Sequence, residues 1–236
     1  DIWGTRALVN STNANAFLGG ADVDTPLAER NTALYHSISG VRCVRALVAL
    51  AMADNATAQA EIDAFASLLD STPDRDLDLA TGRLGLLLGA SLLLDAMPTS
   101  PYLDATKLRV AGDRFARAAW SEVLALPPVG ETSVVVMSGI AHGWAGIFYA
   151  LMRWAQTTRA RLPNELPARL EQLLSYAEDT GRGIRWARVL RQRAGDETVD
   201  YVPAWCNGSA GMVHFWTLAA DMLHDARWLE VAERAG

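Results

Sequence analysis

Thr81-Gly82-Arg83-Leu84-Gly85 opens onto Leu86-Leu87-Leu88-Gly89-Ala90-Ser91-Leu92-Leu93-Leu94, and the reading of this stretch decides the fold. A helix that is apolar on every side is surrounded by protein. The same opening recurs as His142-Gly143-Trp144-Ala145-Gly146 and as Asn207-Gly208-Ser209-Ala210-Gly211, with a degenerate copy at Ser39-Gly40-Val41-Arg42-Cys43. In each full copy a polar residue stands directly ahead of a Gly-x-x-Gly pair and a long apolar segment follows. The chain is therefore expected to be an array of similar units.

Segments between the copies have another character. Lys107-Leu108-Arg109-Val110-Ala111-Gly112-Asp113-Arg114-Phe115-Ala116-Arg117 carries a charged stripe, as a helix facing water does. The intervals from Gly40 to Gly82, Gly143 and Gly208 each leave room for one inner and one outer helix. Helical hairpins of this kind, closed into a ring, give an all-α α/α toroid. Apolar residues at three- and four-residue spacing predict helices over Leu34–Ala53, Ala58–Leu69, Leu84–Met97, Leu103–Leu126, Ile140–Thr157, Pro167–Asp179, Ile184–Arg193 and Met212–His224. Turns are expected at Ser71-Thr72-Pro73-Asp74, Pro98-Thr99-Ser100-Pro101, Pro127-Pro128-Val129-Gly130, Leu162-Pro163-Asn164 and Gly195-Asp196. Thr132-Ser133-Val134-Val135-Val136 is the best strand candidate, and it reads equally as an approach to a buried helix. Residues 1–30 read as a loop-rich opening segment, and no linker divides the chain, so residues 1–236 are expected to form one domain. Gly82, Gly85 and Gly89, like Gly139, Gly143 and Gly146, fall on one helix face. Each interior glycine costs about 1 kcal/mol relative to alanine, so a repeated set needs a packing or ligand-access reason.

Composition narrows the setting. The chain has 236 residues, half of them hydrophobic, enough for a full core without disulfides. Two cysteines, Cys43 and Cys206, point to a reducing compartment, and cytoplasm is expected. No basic-then-apolar opening and no apolar run long enough to span a bilayer are seen, so no targeting or membrane-spanning segment is expected. A net charge of −6 without a basic stripe argues against nucleic acid as a partner.

His142 and Cys206 stand one and two residues before the first glycine of their copies, so the repeat puts both at equivalent ends of equivalent segments. Alternatives stay open at each position. A cysteine ahead of an apolar helix is often a small buried hydrophobe, a histidine there often satisfies backbone donors, and Asp78 is a carboxylate favoured by a helix dipole. Cys43 and His36, in the degenerate copy, read as structural. The tryptophans, Trp144, Trp205 and Trp216 among them, read as core or cavity lining. His214 lies eight residues beyond Cys206, roughly 12 Å along a helix, too far to share one tetrahedral metal site. His224 reads as solvated.

Ser138-Gly139-Ile140-Ala141-His142-Gly143-Trp144-Ala145-Gly146-Ile147 and Ala204-Trp205-Cys206-Asn207-Gly208-Ser209-Ala210-Gly211 resemble the two central signatures of the lanthionine synthetase C-like (LanC-like) cyclases. The resemblance spans residues 34–236. It implies an α/α toroid with a zinc ion at one mouth of the inner barrel, and an activity that adds a peptide cysteine thiol to dehydroalanine or dehydrobutyrine, closing a thioether (lanthionine) ring. It also implies Cys206 as a zinc ligand, His142 as an acid/base residue, and Asp78, four residues before Gly82, as a second catalytic group. The implied partners are a dehydrated precursor peptide and dehydratase or kinase-like domains of the same synthetase. Two departures stand out. Val202 occupies the position of an arginine found in well-studied cyclases. The third signature, a Cys-His or Cys-Cys pair, would fall beyond Gly236, so the remaining zinc ligands are expected there. The chain is accordingly expected to hold about four of seven hairpins, truncated at the C-terminus and inactive alone.

The chemistry is consistent with that reading. Thiol addition to an electron-poor alkene needs a thiolate, which zinc supplies by deprotonating a bound sulfur. The enolate must then be protonated, a task suited to histidine. Two other classes remain: a carbohydrate-active α/α toroid, which would need a carboxylate pair where Asp78 is the one candidate, and a non-catalytic peptide-binding scaffold.

Overall fold

The computed structural model describes residues 33–35, 37–71, 76–97, 101–190 and 199–236. Among these, eight α-helices carry the repeat: α1 Ile38–Ala51, α2 Asn55–Ser71, α3 Leu84–Ala96, α4 Thr106–Ala125, α5 Trp144–Thr158, α6 Leu166–Leu174, α7 Ser209–Leu223 and α8 Ala226–Ala235. A two-stranded antiparallel ribbon, β1 Ala177–Asp179 and β2 Ile184–Trp186, lies between α6 and α7 in sequence, with Glu178 opposite Arg185. The fold is all-α. The loop-rich reading of residues 1–30, His36 and Gly195-Asp196 fall outside the described residues. Contacts gather the chain into two compact units, one up to Asp76 with Ala80–Ala118, the other Leu77–Leu79 with Ala119–Gly236.

In the first unit α1 packs on α2 and on α3. The run from Leu84 to Ser91 is buried residue after residue, as its uniform apolarity requires. The outer segments meet through polar groups instead. Gln59 Nε2 donates to Asp104 O at 3.1 Å, Asp104 N donates to Gln59 Oε1 at 2.8 Å, and Lys107 Nζ donates to Ser67 Oγ at 3.0 Å. Glu61 is buried in the α1–α2 hairpin with Arg42 at 3.1 Å and Arg45 at 2.9 Å, the pairing that a buried carboxylate needs.

In the second unit α5 packs on α7 and α7 on α8. Its core is a continuous run of rings. Trp120 stacks on Phe148 and Phe148 on Trp144 and Phe215, Phe215 meets Trp216 at a tilt of 54°, and Trp216 stacks on both Trp186 and Trp228. The run joins the end of α4, helices α5, α7 and α8, and β2. Trp144 and Trp216 are thus core residues, whereas Trp205 is 41% exposed. Arg169 on α6 donates to the carbonyls of Leu124, in the last turn of α4, and of Leu126 and Pro127 just beyond it, satisfying acceptors that the helix end leaves open.

Two helix expectations are corrected here. Pro167–Asp179 ends as helix at Leu174 and continues into β1, and Ile184–Arg193 begins as β2. In β2 Ile184 and Trp186 are buried with Arg185 between them, a period of two that a short window does not separate from a helical one. Gly181, at φ +78°, makes the turn between the strands. Thr132–Val136 is not a regular strand. It bends at Ser133 and Val134 and leads into one isolated bridge, Met137 with Val189, and Val136 O accepts from Leu190 N at 2.9 Å.

The repeat glycines have a local cause. A side chain at Gly143 would collide with Met137 O, one at Gly146 with Ile140 O, one at Gly208 with Val202 O, one at Gly211 with Trp205 O and one at Gly40 with Leu34 O. In every case the obstacle is the carbonyl six residues earlier. The preceding loop folds back over the helix start, and only a bare Cα lets it pass. Gly208→Ala should therefore destabilise the protein by about 1–3 kcal/mol or more, because the clash is with backbone and cannot be relieved by a rotamer. Chemical denaturation of the variant checks this, whereas the control Ala210→Gly, on an exposed position of α7, should cost only about 1 kcal/mol.

Candidate functional site

The loop before α5 folds so that its own carbonyls cap the helix. Trp144 N donates to Met137 O (3.1 Å), Ala145 N to Ser138 O (3.1 Å) and Gly146 N to Gly139 O (3.3 Å). First-turn donors that a polar side chain often satisfies are already used. Gly143 is the N-cap and receives no side-chain hydrogen bond. The imidazole of His142, directly ahead of it, is left for another task. The loop is anchored by Ser138, whose hydroxyl donates to Ala187 O at 2.7 Å and whose N–H donates to Arg188 O at 3.0 Å.

His142 Nδ1 lies 2.9 Å from Asp78 Oδ2, across 64 positions of sequence. The pair is half-buried, with 33% of the histidine side chain and 12% of the aspartate side chain exposed, so solvent-borne reactants reach the imidazole while its partner is sheltered. Cys206 is brought to the same loop. Its carbonyl accepts from Ala141 N at 2.8 Å, one residue from His142. Gly139 makes the approach possible, because a Cβ there would stand 2.5 Å from Asn207 Cα and from Cys206 O. The Cys206 thiol is free and partly exposed. The segment leading to it is held to the ribbon side: Arg188 pairs with Asp200 at 2.9 Å, and Arg185 lies over the Tyr201 ring at 3.7 Å while also pairing with Glu178. Hydrogen bonds from Arg185 first, and then from Tyr201, hold the exposed Glu178 carboxyl below its usual range. Asp78, His142 and Cys206 thus belong to one unit, Asp78 bonded to His142 and the Cys206 carbonyl bonded to Ala141 of the same loop.

Other candidates separate from this group. His214 and His224 are exposed, His224 as the left-handed C-cap of α7. Cys43 is buried, points at Gly89 O at 3.9 Å, and its thiol is pushed up to about 12 by burial. Among the described residues no set of three or more His, Cys, Asp or Glu side chains converges as a metal site. Cys206 offers one sulfur, and the described donors do not by themselves complete the three-ligand set of a catalytic zinc. Ser138 and Asn207 were invisible as site-shaping residues in the sequence, although both occupy fixed offsets from a repeat glycine.

A family model described as "Lanthionine synthetase C-like protein" matches residues 11–236, nearly the whole chain. The chain belongs to this family. Its all-α architecture of buried and water-facing helices agrees with the α/α toroid that the sequence resemblance implies. No curated protein matches it. No helix among the described residues is long and apolar enough to cross a membrane.

The two thiols should differ sharply in reactivity. At pH 8 a thiol reagent is expected to label Cys206 in the native protein and Cys43 only on unfolding. Because the folded-state value of Cys43 is raised, its contribution to stability is complete below the unfolded value of about 8.5 and declines as pH rises toward about 12. Timed labelling with mass-spectrometric assignment checks the order, and equal rates would contradict the burial of Cys43.

Proposed function

We propose that the protein is a zinc-dependent cyclase of the lanthionine-synthetase type, adding cysteine thiols of a dehydrated precursor peptide to dehydroalanine or dehydrobutyrine. The observation that carries this reading is the Asp78–His142 hydrogen bond beside the Cys206 segment, in a chain of this family. With Asp78 ionised, its Oδ2 accepts from Nδ1–H, which leaves Nε2 of His142 as the proton acceptor. Nε2 takes the thiol proton. The sulfur lone pair then forms the C–S bond at the β-carbon, and the alkene π pair moves onto the α-carbon and its carbonyl oxygen. The imidazolium returns a proton to the α-carbon, so the addition balances without oxidant or reductant. Asp78 holds the ring's tautomer and orientation and steadies its positive form.

Zinc, when bound, would supply a low-pKa thiolate. Cys206 is proposed as one ligand, with the remaining ligands from a repeat beyond Gly236. Because the described donors do not complete the site, no step of the mechanism is drawn through the metal. Two unpaired cysteines support a cytoplasmic setting, and dehydratase or kinase-like domains of a synthetase are the proposed source of the dehydrated peptide. The competing reading, a peptide-binding scaffold without catalysis, draws on the lack of a converged ligand set among the described residues.

The experiment follows ring formation by mass spectrometry, with thiol blocking, alongside elemental analysis of zinc. His142→Ala should lower the rate by about 10²–10⁴-fold with zinc content unchanged. Asp78→Asn should also lower it with zinc retained, since the neutral amide does not steady the imidazolium and, where its N–H faces Nδ1, donates to it and selects the other tautomer. Cys206→Ala should lose both zinc and cyclisation, and residues 1–236 alone should hold zinc weakly. Ring formation undiminished in the His142 variant would overturn the mechanism, and an active but metal-free native protein would overturn the zinc assignment.

A further inference from the structure

Every polar group of Ser138 is spent on holding the loop that carries His142. Its N–H donates to Arg188 O at 3.0 Å, its hydroxyl donates to Ala187 O at 2.7 Å, and its carbonyl accepts from Ala145 N at 3.1 Å in the first turn of α5. The residue is fully buried. The turn over the helix start does not itself require this hydroxyl. Five positions before the N-cap glycine stands Ser138 in the α5 copy and Pro203 in the α7 copy, a residue with neither hydroxyl nor N–H. Gly208 is nevertheless overlain by the carbonyl six residues earlier, as Gly143 is, and the two backbones agree, φ −140° and ψ −166° against φ −150° and ψ −165°. The serine therefore belongs to the copy that bears the imidazole and not to the repeat as such.

What the hydroxyl adds is one more step of pairing in the direction of His142. The backbone bonds Leu190 N to Val136 O and Ser138 N to Arg188 O flank the bridge of Met137 with Val189 and end at Ser138. In that register Ala187 falls opposite Gly139, which has no side chain to extend the pairing. The Ser138 hydroxyl reaches the Ala187 carbonyl in its place. Beyond it the chain has little slack. Ile140 and Ala141 are buried, Ala141 N donates to Cys206 O at 2.8 Å, and Trp144 N, two residues past the histidine, donates to Met137 O at 3.1 Å. A shift at Ser138 is thus passed on to the imidazole, whose Nδ1 must stay 2.9 Å from Asp78 Oδ2 on a stretch of chain 64 positions away.

We propose that Ser138 is a positioning residue for the cyclase reaction, its hydrogen bond to Ala187 O fixing the loop so that His142 Nδ1 stays on Asp78. The consequence for rate rests on the cyclase reading above. Displacing a catalytic group by a fraction of its contact distance lowers rate without altering how substrate is bound.

The test compares the native full-length protein with Ser138→Ala, with Ser138→Thr, which restores a hydroxyl, with His142→Ala, and with the double variant Ser138→Ala/His142→Ala. Measured are kcat and KM of ring formation on one dehydroalanine-containing peptide, Tm, and the low-field proton resonance of the imidazole N–H that His142→Ala abolishes. Ser138→Ala should lower kcat by about tenfold, leave KM within about twofold of native, and weaken or shift the resonance. Ser138→Thr should recover both rate and resonance. In the His142→Ala background the serine substitution should change the rate by less than about twofold, because nothing is left to position. Equal losses in the two backgrounds overturn the assignment, as does a native resonance in Ser138→Ala, and both leave the cyclase reading standing. Should the alanine variant not fold, Ser138→Cys, of similar shape but a weak donor, replaces it in each comparison. Native protein that forms no ring overturns the cyclase reading and the effect on rate with it, whereas a resonance lost in Ser138→Ala still supports the hold on His142.

Discussion

A carbonyl oxygen lying over a bare glycine Cα is the contact on which the arrangement of this protein depends. At Gly143 and Gly208 the loop before the helix turns back so tightly that the oxygen six residues upstream occupies the space a Cβ would take. In the α5 copy three consequences follow together. The loop carbonyls reach the first-turn N–H groups, the helix starts without a polar cap, and the residue ahead of the glycine is released from capping. An ordinary helix start uses its serine, threonine or asparagine to satisfy those donors. Here the backbone does so, and His142 is left to pair with Asp78.

This is also why the repeat was legible in the sequence while its reason was not. The glycines are spaced as in a helix face, which suggested close approach of a neighbouring helix or a ligand. In the structure the neighbour at Gly143 and Gly208 is the chain's own preceding turn, and a different glycine, Gly139, admits a second segment, the one carrying Cys206 and Asn207. Periodicity reports which residues share a face but carries no information on a loop that doubles back within six residues. The same limit explains the start of α5, expected at Ile140 and found at Trp144: Ile140 and Ala141 are buried and apolar, but in the loop.

Helices with uniform apolar character were the easiest to place. α3 runs from Leu84 to Ala96, one residue short of the expected end, because burial on all sides leaves a helix as the conformation that satisfies its backbone internally. The ribbon was the hardest. Ala177–Asp179 and Ile184–Trp186 are three residues each, held by the turn at Gly181, by Trp186 Nε1 donating to Leu173 O at 3.0 Å, and by stacking of Trp186 on Trp216. Tertiary packing selects strand there, and no window of local sequence contains it. Asp78 was legible as a spacing and Cys206 as a motif, but their meeting with one loop depends on hydrogen bonds from residues far apart in the chain.

The ribbon, although small, bears on the site more than its size suggests. Arg188 O and Ala187 O hold Ser138 at the base of the His142 loop, while Arg188 N and side chain hold Asp200 in the segment that leads to Cys206. One stretch after β2 thus grips both strands of chain that bear the candidate chemistry. Exposed ion pairs such as Arg188 with Asp200 contribute little alone, about 0.2–1 kcal/mol. The backbone hydrogen bonds on the same residues set the geometry, and the buried rings of Trp186, Trp216 and Trp228 set the ribbon. Precision at His142 and Cys206 therefore comes from a hydrophobic stack of buried rings together with a backbone clasp on the two stretches of chain that carry them.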